Sequence, residues 1–259
     1  MLENKYPLFK KNEILEKEML DLLRDNPMEI YNLLYLDFSD GILNGFNFTI
    51  DSERKLLIME PGILKHNGKI FWEKEITEIP FPEQEDHYVV KYKLNCCSEE
   101  KKYYKRSGEI ITEAGKSTHE DELELLRFIL REGAELRENY EQFEDLVREY
   151  NTIQIVDRKY SSRHKSGTLD PRVTKFWGLE AFERENLNPE DFIFAAACIN
   201  NPVEREIISS YINRKKRVET REYTNRELYE ELNDILIKMG PRRSIGVKKI
   251  YRPEKIVVD

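Results

Sequence analysis

The chain has 259 residues, 36% of them charged, and a formal net charge of -8 at pH 7. This acidic balance disfavours a dedicated nucleic-acid-binding protein, because neutralising phosphates requires a surplus of Lys and Arg. The sequence has no apolar run of membrane-spanning length, and residues 1–11 lack the apolar stretch and cleavage site of a secretory signal. We therefore expect the protein to stay in the cytoplasm until something releases it.

Apolar residues recur at helical spacing over residues 12–36. Asn26-Pro27 interrupts the pattern, and Asn at a cap followed by Pro at the first helical position is a common helix start. The sequence therefore predicts a helix pair here, within an N-terminal helical segment spanning residues 1–38.

Beyond Asp40-Gly41 the pattern changes to short alternating runs separated by turn residues. Asn67-Gly68 favours a tight type I′ hairpin. We predict an antiparallel β-domain over residues 39–115. Its predicted strands span residues 46–50, 56–59, 63–66, 70–73, 76–79 and 88–94.

Residues 126–150 show two sets of positions that repeat every seven residues and are offset by three. The first set is Leu126, Gly133, Tyr140 and Val147, and the second is Ile129, Leu136, Phe143 and Tyr150. This heptad pattern predicts a long helix, followed by a short strand at 152–156, in a region spanning residues 116–157. Either the helix packs on its own domain, or it self-associates as a coiled coil; its Tyr, Phe and Gly residues favour a wider bundle or a partner over a two-stranded zipper.

The remaining residues, 158–259, are predicted to form a C-terminal helical domain, so the fold class is α+β. A polar loop at 158–172 precedes helices at 176–184, 189–199, 202–214 and 225–239. Asn188-Pro189 and Asn201-Pro202 are predicted helix starts, and Thr224 with Glu227 forms a predicted capping box. The last twenty residues, which follow the final helix, are predicted to be an extended basic tail that grips a neighbouring subunit.

Gly115-Lys116-Ser117 matches the end of a Walker A phosphate-binding loop. The full loop needs a glycine five positions before Gly115, because that length wraps backbone N–H groups around the phosphate. Ile110 occupies that position, so we predict no nucleotide site.

The other candidate chemical groups show no catalytic or metal-binding arrangement. No histidine has metal-ligand spacing to another His or Cys, and the sequence lacks a nucleophile elbow. We expect His66 and His87 at or beside exposed strand positions, His119 near a helix start and Cys198 as a small buried thiol; the fourth histidine is His164. The prediction is no catalytic residue, no metal ligand and no cofactor.

A basic cluster occupies residues 214–226 and comprises Arg214, Lys215, Lys216, Arg217, Arg221 and Arg226. The favoured interpretation is a helix C-terminus whose macrodipole is complemented by positive charge. Two alternative functions stay open: a nucleic-acid-associated regulator that uses this cluster, and a hydrolase with an unrecognised acidic site.

The β-region carries a glycine-punctuated pattern. It contains Asp40-Gly41-Ile42 and Gly45, then a strand pair meeting at Pro61-Gly62-Ile63, then Gly68 at a turn. This pattern, over residues 12–94, resembles tail and baseplate-associated structural proteins of bacterial phages and phage-tail-like particles. Gly45, Pro61-Gly62 and Gly68 are interpreted as scaffold residues of turns.

The resemblance implies a structural component of a phage tail or tail-like particle near the baseplate or fibre attachment, and not an enzyme. Its expected partners are other tail, baseplate or fibre proteins, together with further copies of itself in a symmetric particle. The expected location is the bacterial cytoplasm during assembly and then the particle. No cofactor and no membrane segment are expected, and nucleic acid is not an expected partner.

Overall fold

The computed structural model describes residues 4–99, 104–115, 119, 121–133, 135–148 and 151–243. The helices of this part of the chain are α1 Lys17–Leu34, α2 Pro171–Phe182, α3 Pro189–Asn200, α4 Arg205–Lys216 and α5 Asn225–Lys238, with a 3₁₀ helix at Phe143–Val147. The strands are β1 Gly41–Gly45, β2 Phe48–Asp51, β3 Leu56–Met59, β4 Gly62–His66, β5 Lys69–Glu73, β6 Thr77–Pro80, β7 His87–Glu99, β8 Tyr104–Ala114 and β9 Glu122–Ile129. The fold is α+β, as predicted.

The strands form three antiparallel three-stranded sheets, in the orders β1-β4-β5, β2-β3-β6 and β8-β7-β9. The six predicted strands are confirmed as β2 to β7, with small shifts of their ends. The hairpin joining β4 and β5 turns at Asn67 and Gly68, whose φ angles are 49° and 67°. Positive φ at both central residues is the type I′ geometry that the sequence predicts.

The glycines of the sequence pattern allow close packing around Phe46, which is fully buried. Gly45 has φ +76°, and a Cβ there would lie 2.3 Å from the Pro61 carbonyl oxygen. A Cβ on Gly62 would lie 2.4 Å from the Phe46 ring. Gly62 therefore follows the turn at Pro61 and also lets the start of β4 pass directly against the Phe46 ring.

The predicted long helix over residues 126–150 is wrong, and so is the coiled coil. Leu126 belongs to β9, which pairs with the central strand β7 of its sheet. Among the described residues of 126–150, only Phe143–Val147 is helical, as one short 3₁₀ segment. Leu136 and Phe143 are buried in the chain's own core. The apolar run in β9 fits a buried strand, and pairing with β7 overrides its helical spacing; Tyr150 lies outside the described residues.

The predicted break at Asn26-Pro27 is also wrong, because α1 is one helix with Pro27 inside it. Asn26 does not cap a second helix; its side chain donates a hydrogen bond to the Lys5 carbonyl at 3.0 Å. The loss of the Pro27 N–H removes one intrahelical bond, and the Leu, Met and Glu residues around it sustain the helix.

The four C-terminal helices are confirmed. Asn188 caps α3 and Thr224 forms the capping box of α5, as predicted. Helix α4 begins three residues later than Pro202, with Glu204 as its N-cap, so that predicted start is wrong. The predicted strand at 152–156 forms only isolated bridges.

The segment predicted as a polar loop, 158–172, is largely buried and connects the sheets to the helices. The Ile42 N–H donates to the Lys159 carbonyl, and the Ser161 N–H donates to the Ile42 carbonyl at 2.8 Å. This segment therefore runs as an extra extended chain along β1.

Arg158 lies at the centre of this connection with its side chain 1% exposed. Its guanidinium donates to the Phe46 carbonyl at 2.6 Å and lies 3.2 Å from the Asp170 carboxylate. Asp170 also caps α2 by accepting the Arg172 N–H at 2.9 Å. One buried ionic cluster thus joins the glycine-punctuated β-region to the first C-terminal helix.

Charge and burial act in opposite directions on this cluster. Burial lowers the pKa of Arg158 to about 10, with the Asp170 carboxylate opposing that shift. Burial alone would raise the pKa of Asp170, but the charges of Arg172 and Arg158 hold it below its ordinary value. Asp170 is therefore ionised in the folded protein at neutral pH.

We predict that Asp170→Asn lowers the free energy of unfolding at pH 7 by about 3 kcal/mol or more, because it leaves Arg158 buried without its counter-charge. Urea unfolding measures the change. Asp25→Asn, which removes an exposed partner of Arg24, is the control and leaves the urea midpoint nearly unchanged.

The stability difference between the wild type and Asp170→Asn depends on pH. The pKa of Asp170 in the folded protein lies below the unfolded value of about 3.9. The contribution of the ionised Asp170 carboxylate to the free energy of unfolding is therefore complete above that pH, and it is lost as the pH falls through the folded pKa. The stability difference between wild type and Asp170→Asn therefore narrows under acid conditions. A difference that widened as the pH fell would contradict this assignment.

Candidate assembly surface

The histidines lie apart in the structure. His66 is buried, with its Nε2 2.8 Å from the Asp121 carbonyl oxygen, so the expectation of an exposed strand position is wrong for it. His87 is half-buried at the start of β7, and His119 is exposed. Among the described residues no group of three or more His, Cys, Asp or Glu side chains could hold a metal ion.

The Walker-like remnant has no phosphate-loop context. Gly115 follows β8, and its N–H donates to the His87 carbonyl at 2.8 Å; Lys116 and Ser117 lie outside the described residues. A phosphate loop needs a helix directly after it, whereas the next element that the structure describes is strand β9.

The buried carboxylates in the described part of the chain are held in ion pairs. They pair as follows: Glu122 with Lys91, Glu124 with Arg127, Asp145 with Arg148, Asp170 with Arg172, Glu180 with Arg184 and Asp191 with Lys215. A general acid at neutral pH needs a raised pKa, and such pairing favours the ionised form. Burial raises the pKa of Glu138, and the hydrogen bond that its carboxylate accepts from the Ile50 N–H opposes this shift.

The basic cluster of residues 214–226 is largely neutralised by neighbouring carboxylates. Its ion pairs are Arg214 with Glu190, Lys215 with Asp191, Lys216 with Glu231 and Asp234, Arg221 with Glu227 and Glu231, and Arg226 with Asp157. A phosphate backbone would have to displace these carboxylates, so the favoured interpretation of a charged helix end fits the structure better.

The predicted basic tail lies mostly outside the described residues, which end at residue 243. Its first part contacts its own chain: the Arg242 guanidinium lies 3.3 Å from Glu180, and the Arg243 N–H donates to the Glu183 carbonyl. These contacts fix the start of the tail against α2.

Helix α1 is amphipathic and has no buried residue. Six of its apolar side chains are between 47% and 70% exposed: Leu20, Leu23, Ile30, Tyr31, Leu33 and Leu34. Their helical spacing places them on one broad face. We call these six residues the α1 apolar face.

The opposite side of α1 is turned toward the body of the protein. Arg24, Asp25, Met28 and Asn32 line a cleft of about 1200 Å³, together with β-region residues that include Trp72. An amphipathic helix packed on its own domain normally buries its apolar side. Here the largely polar side faces inward, and most of the α1 apolar face is exposed. Residues Asn4 to Tyr6 share a groove with Ile30 and Leu33 at its border.

The C-terminal end of α1 is anchored by Lys65 of β4, which is buried. The Lys65 Nζ donates to the carbonyls of Tyr35 at 2.8 Å, Leu36 at 3.2 Å and Phe38 at 2.6 Å. All three ammonium protons are thus used on carbonyls at and beyond the helix end. The positive charge also complements the helix macrodipole, because the last turn has no basic residue of its own.

Asp40 of the glycine-punctuated pattern strengthens this anchor. Its carboxylate accepts the Asn67 N–H at 2.7 Å and the Gly68 N–H at 3.2 Å, at the tip of the β4–β5 hairpin. The segment after α1 is therefore tied to that hairpin at two points. The sequence analysis placed Asp40 only at the start of the glycine-punctuated pattern, and it did not identify Lys65.

No protein-family model matches the sequence, and no curated protein matches it significantly. One chain of the type VI secretion system TssK-TssF-TssG baseplate subcomplex, solved by cryo-electron microscopy, aligns with 92% of this chain and 100% of its own length at 9% identity and TM-score 0.38. The crystal structure of TssK aligns with 91% of this chain and 68% of its own length at 6% identity and TM-score 0.39. Both TM-scores are too low to establish a shared fold. In the part of the chain that is described, no helix combines the length and hydropathy needed to cross a membrane.

We predict that Lys65→Met loosens α1, because three carbonyls at its end lose a charged donor. Amide exchange in α1, followed by mass spectrometry, accelerates by about tenfold or more, given the usual strength of hydrogen bonds to charged groups. Lys74→Met, at an exposed loop position, is the control and leaves exchange in α1 unchanged. Equal exchange in both variants would show that Lys65 does not hold the helix.

We also predict that Cys198 is inert in the folded protein. Burial raises the pKa of its thiol to about 12, so little thiolate forms at neutral pH. Iodoacetamide at pH 8, with the modified residue mapped by mass spectrometry, labels Cys198 only after denaturation in guanidinium. Rapid labelling of the native protein at this position would reopen the question of a nucleophilic cysteine.

Proposed function

We propose that this chain is a structural component of a phage tail or phage-tail-like particle. It acts in the baseplate or at the fibre attachment by protein–protein assembly, in several copies and without catalysis or a cofactor. Its partners are other baseplate, tail or fibre proteins. Assembly takes place in the bacterial cytoplasm, and the protein then remains in the particle.

The observation that carries this proposal is the exposed α1 apolar face on a firmly anchored helix. Monomeric proteins seldom expose large contiguous apolar patches, and such patches commonly mark interaction sites. The anchor at Lys65 belongs to the same 12–94 region in which the sequence resembles tail and baseplate proteins. Asp40 of the pattern that carries the resemblance, together with Lys65 of β4, thus holds the helix that presents the surface.

Two observations support assembly over the alternative functions. The buried carboxylates are committed to ion pairs, which leaves the hydrolase alternative without a recognisable acidic pair among the described residues. The carboxylates around residues 214–226 reduce the positive charge that a nucleic-acid regulator would need. Neither alternative makes use of an exposed apolar helix face.

We predict that deleting the gene in its host abolishes complete particles, while unattached tubes or fibres accumulate. Electron microscopy of induced cultures gives the readout, and restoring the gene in trans is the control. Mass spectrometry of purified particles detects the chain in a fixed ratio to the tail-tube protein. Normal particles that lack this chain would refute the proposed function.

A further inference from the structure

A second apolar surface lies on the C-terminal helices, where the end of α2 meets the start of α3. The rings of Phe182 and Phe192 are in contact, with their centroids 5.2 Å apart. Leu179 lies one turn before Phe182 on the same side of α2. Its side chain is 47% exposed, and that of Phe192 is 54% exposed. We call Leu179, Phe182 and Phe192 the α2–α3 apolar patch.

The last described residues of the chain are bound next to this patch. The Arg243 N–H donates to the Glu183 carbonyl at 2.6 Å, directly after the end of α2. One residue earlier, Arg242 forms an antiparallel bridge with Arg184. Because the two paired segments run in opposite directions, the chain leaves Arg243 toward Phe182, back along α2.

The residues that follow Arg243 have a suitable apolar pattern for this patch. They lie outside the described residues, and their sequence is Ser244-Ile245-Gly246-Val247. Alternate residues of an extended chain share one side, so an extended segment here would present Ile245 and Val247 together. The residues between them, Ser and Gly, are small.

The length of the chain beyond Arg243 matches the distance to the patch. Two extended residues, from Arg243 to Ile245, span about 7 Å. Leu179 precedes Glu183 by four residues, which is about 6 Å along the helix. Ile245 is therefore within reach of Leu179 in the same chain.

We propose that residues 244–247 of this chain cover its own α2–α3 apolar patch, with the side chains of Ile245 and Val247 packed on Leu179 and Phe192. The inference goes beyond the proposed function and does not depend on it. The basic residues of the predicted tail begin at Lys248, beyond this contact. They are left for the neighbouring subunit that the sequence analysis expects.

A separate protein or a second copy fits the patch less well than the chain's own tail. A segment tethered by a few residues has an effective concentration in the millimolar range, and a free partner would have to exceed it. The hydrogen bond of Arg243 to Glu183 fixes the start of the tail only two residues before Ile245. So short a connection favours a contact within the chain.

Hydroxyl-radical footprinting of the full chain, read by mass spectrometry, tests the proposal because it measures the access of water to the Phe192 ring. Oxidation of Phe192 is expected to become about threefold faster or more when residues 244–259 are deleted, because contact with the tail removes the ring from water. Trp72 of β5, which is 49% exposed, is the internal control. It is expected to be oxidised at the same rate in both proteins.

A matched pair of variants tests which tail residues make the contact. Ile245→Asp with Val247→Asp is expected to expose Phe192 as fully as the deletion does. Ile256→Asp with Val257→Asp changes two other β-branched residues of the same tail and is the control, in which Phe192 stays protected. Both variants are expected to keep the circular dichroism spectrum of the wild type. Equal exposure of Phe192 in the two variants would contradict the assignment to residues 244–247.

Dilution distinguishes a contact within one chain from an exchange of tails between copies. The protection of Phe192 is expected to stay constant over about a 100-fold range of protein concentration, because a tethered contact does not depend on it. Protection that is lost on dilution would overturn the proposal, since another copy would then supply the tail. Rapid oxidation of Phe192 in the full chain, or protection that survives the deletion, would overturn it as well.

Discussion

The buried guanidinium of Arg158 is the interaction on which the arrangement of the rest of the protein depends. It binds the Phe46 carbonyl on one side and the Asp170 carboxylate on the other. A buried charge is costly unless a counter-charge accompanies it, so both partners must be in place when the chain folds. The turn at Gly45-Phe46 and the start of α2 are therefore fixed relative to each other.

Contacts that follow from this constraint also set the position of α1 at the surface. Gly45 allows the close crossing at Pro61, beyond which β4 carries Lys65 to the end of α1. Helix α1 contributes no buried residue to the core, so its position depends on these polar anchors and not on apolar packing. An element held in this way can keep its apolar side free for another protein.

Local patterns predicted the β-hairpins and the C-terminal helices well, because turn residues and caps act over a few positions. Asn67-Gly68 and the Thr224 capping box required no information from distant parts of the chain. The 126–150 region was misassigned because helical spacing cannot distinguish an amphipathic helix from a buried strand followed by irregular chain. The pairing of β9 with β7 decides the structure of this region, and the paired residues of β7 lie about thirty to forty positions earlier in the sequence.

The sequence by itself determined the α+β class, most strand and helix positions, and the amphipathic character of α1. Only the tertiary structure decided that Arg158 and His66 are buried, that Lys65 caps α1, and that the α1 apolar face points outward. The physical reason is that burial and helix orientation depend on contacts between residues far apart in sequence. Composition and periodicity describe a helix face, but the surrounding chain decides what that face meets.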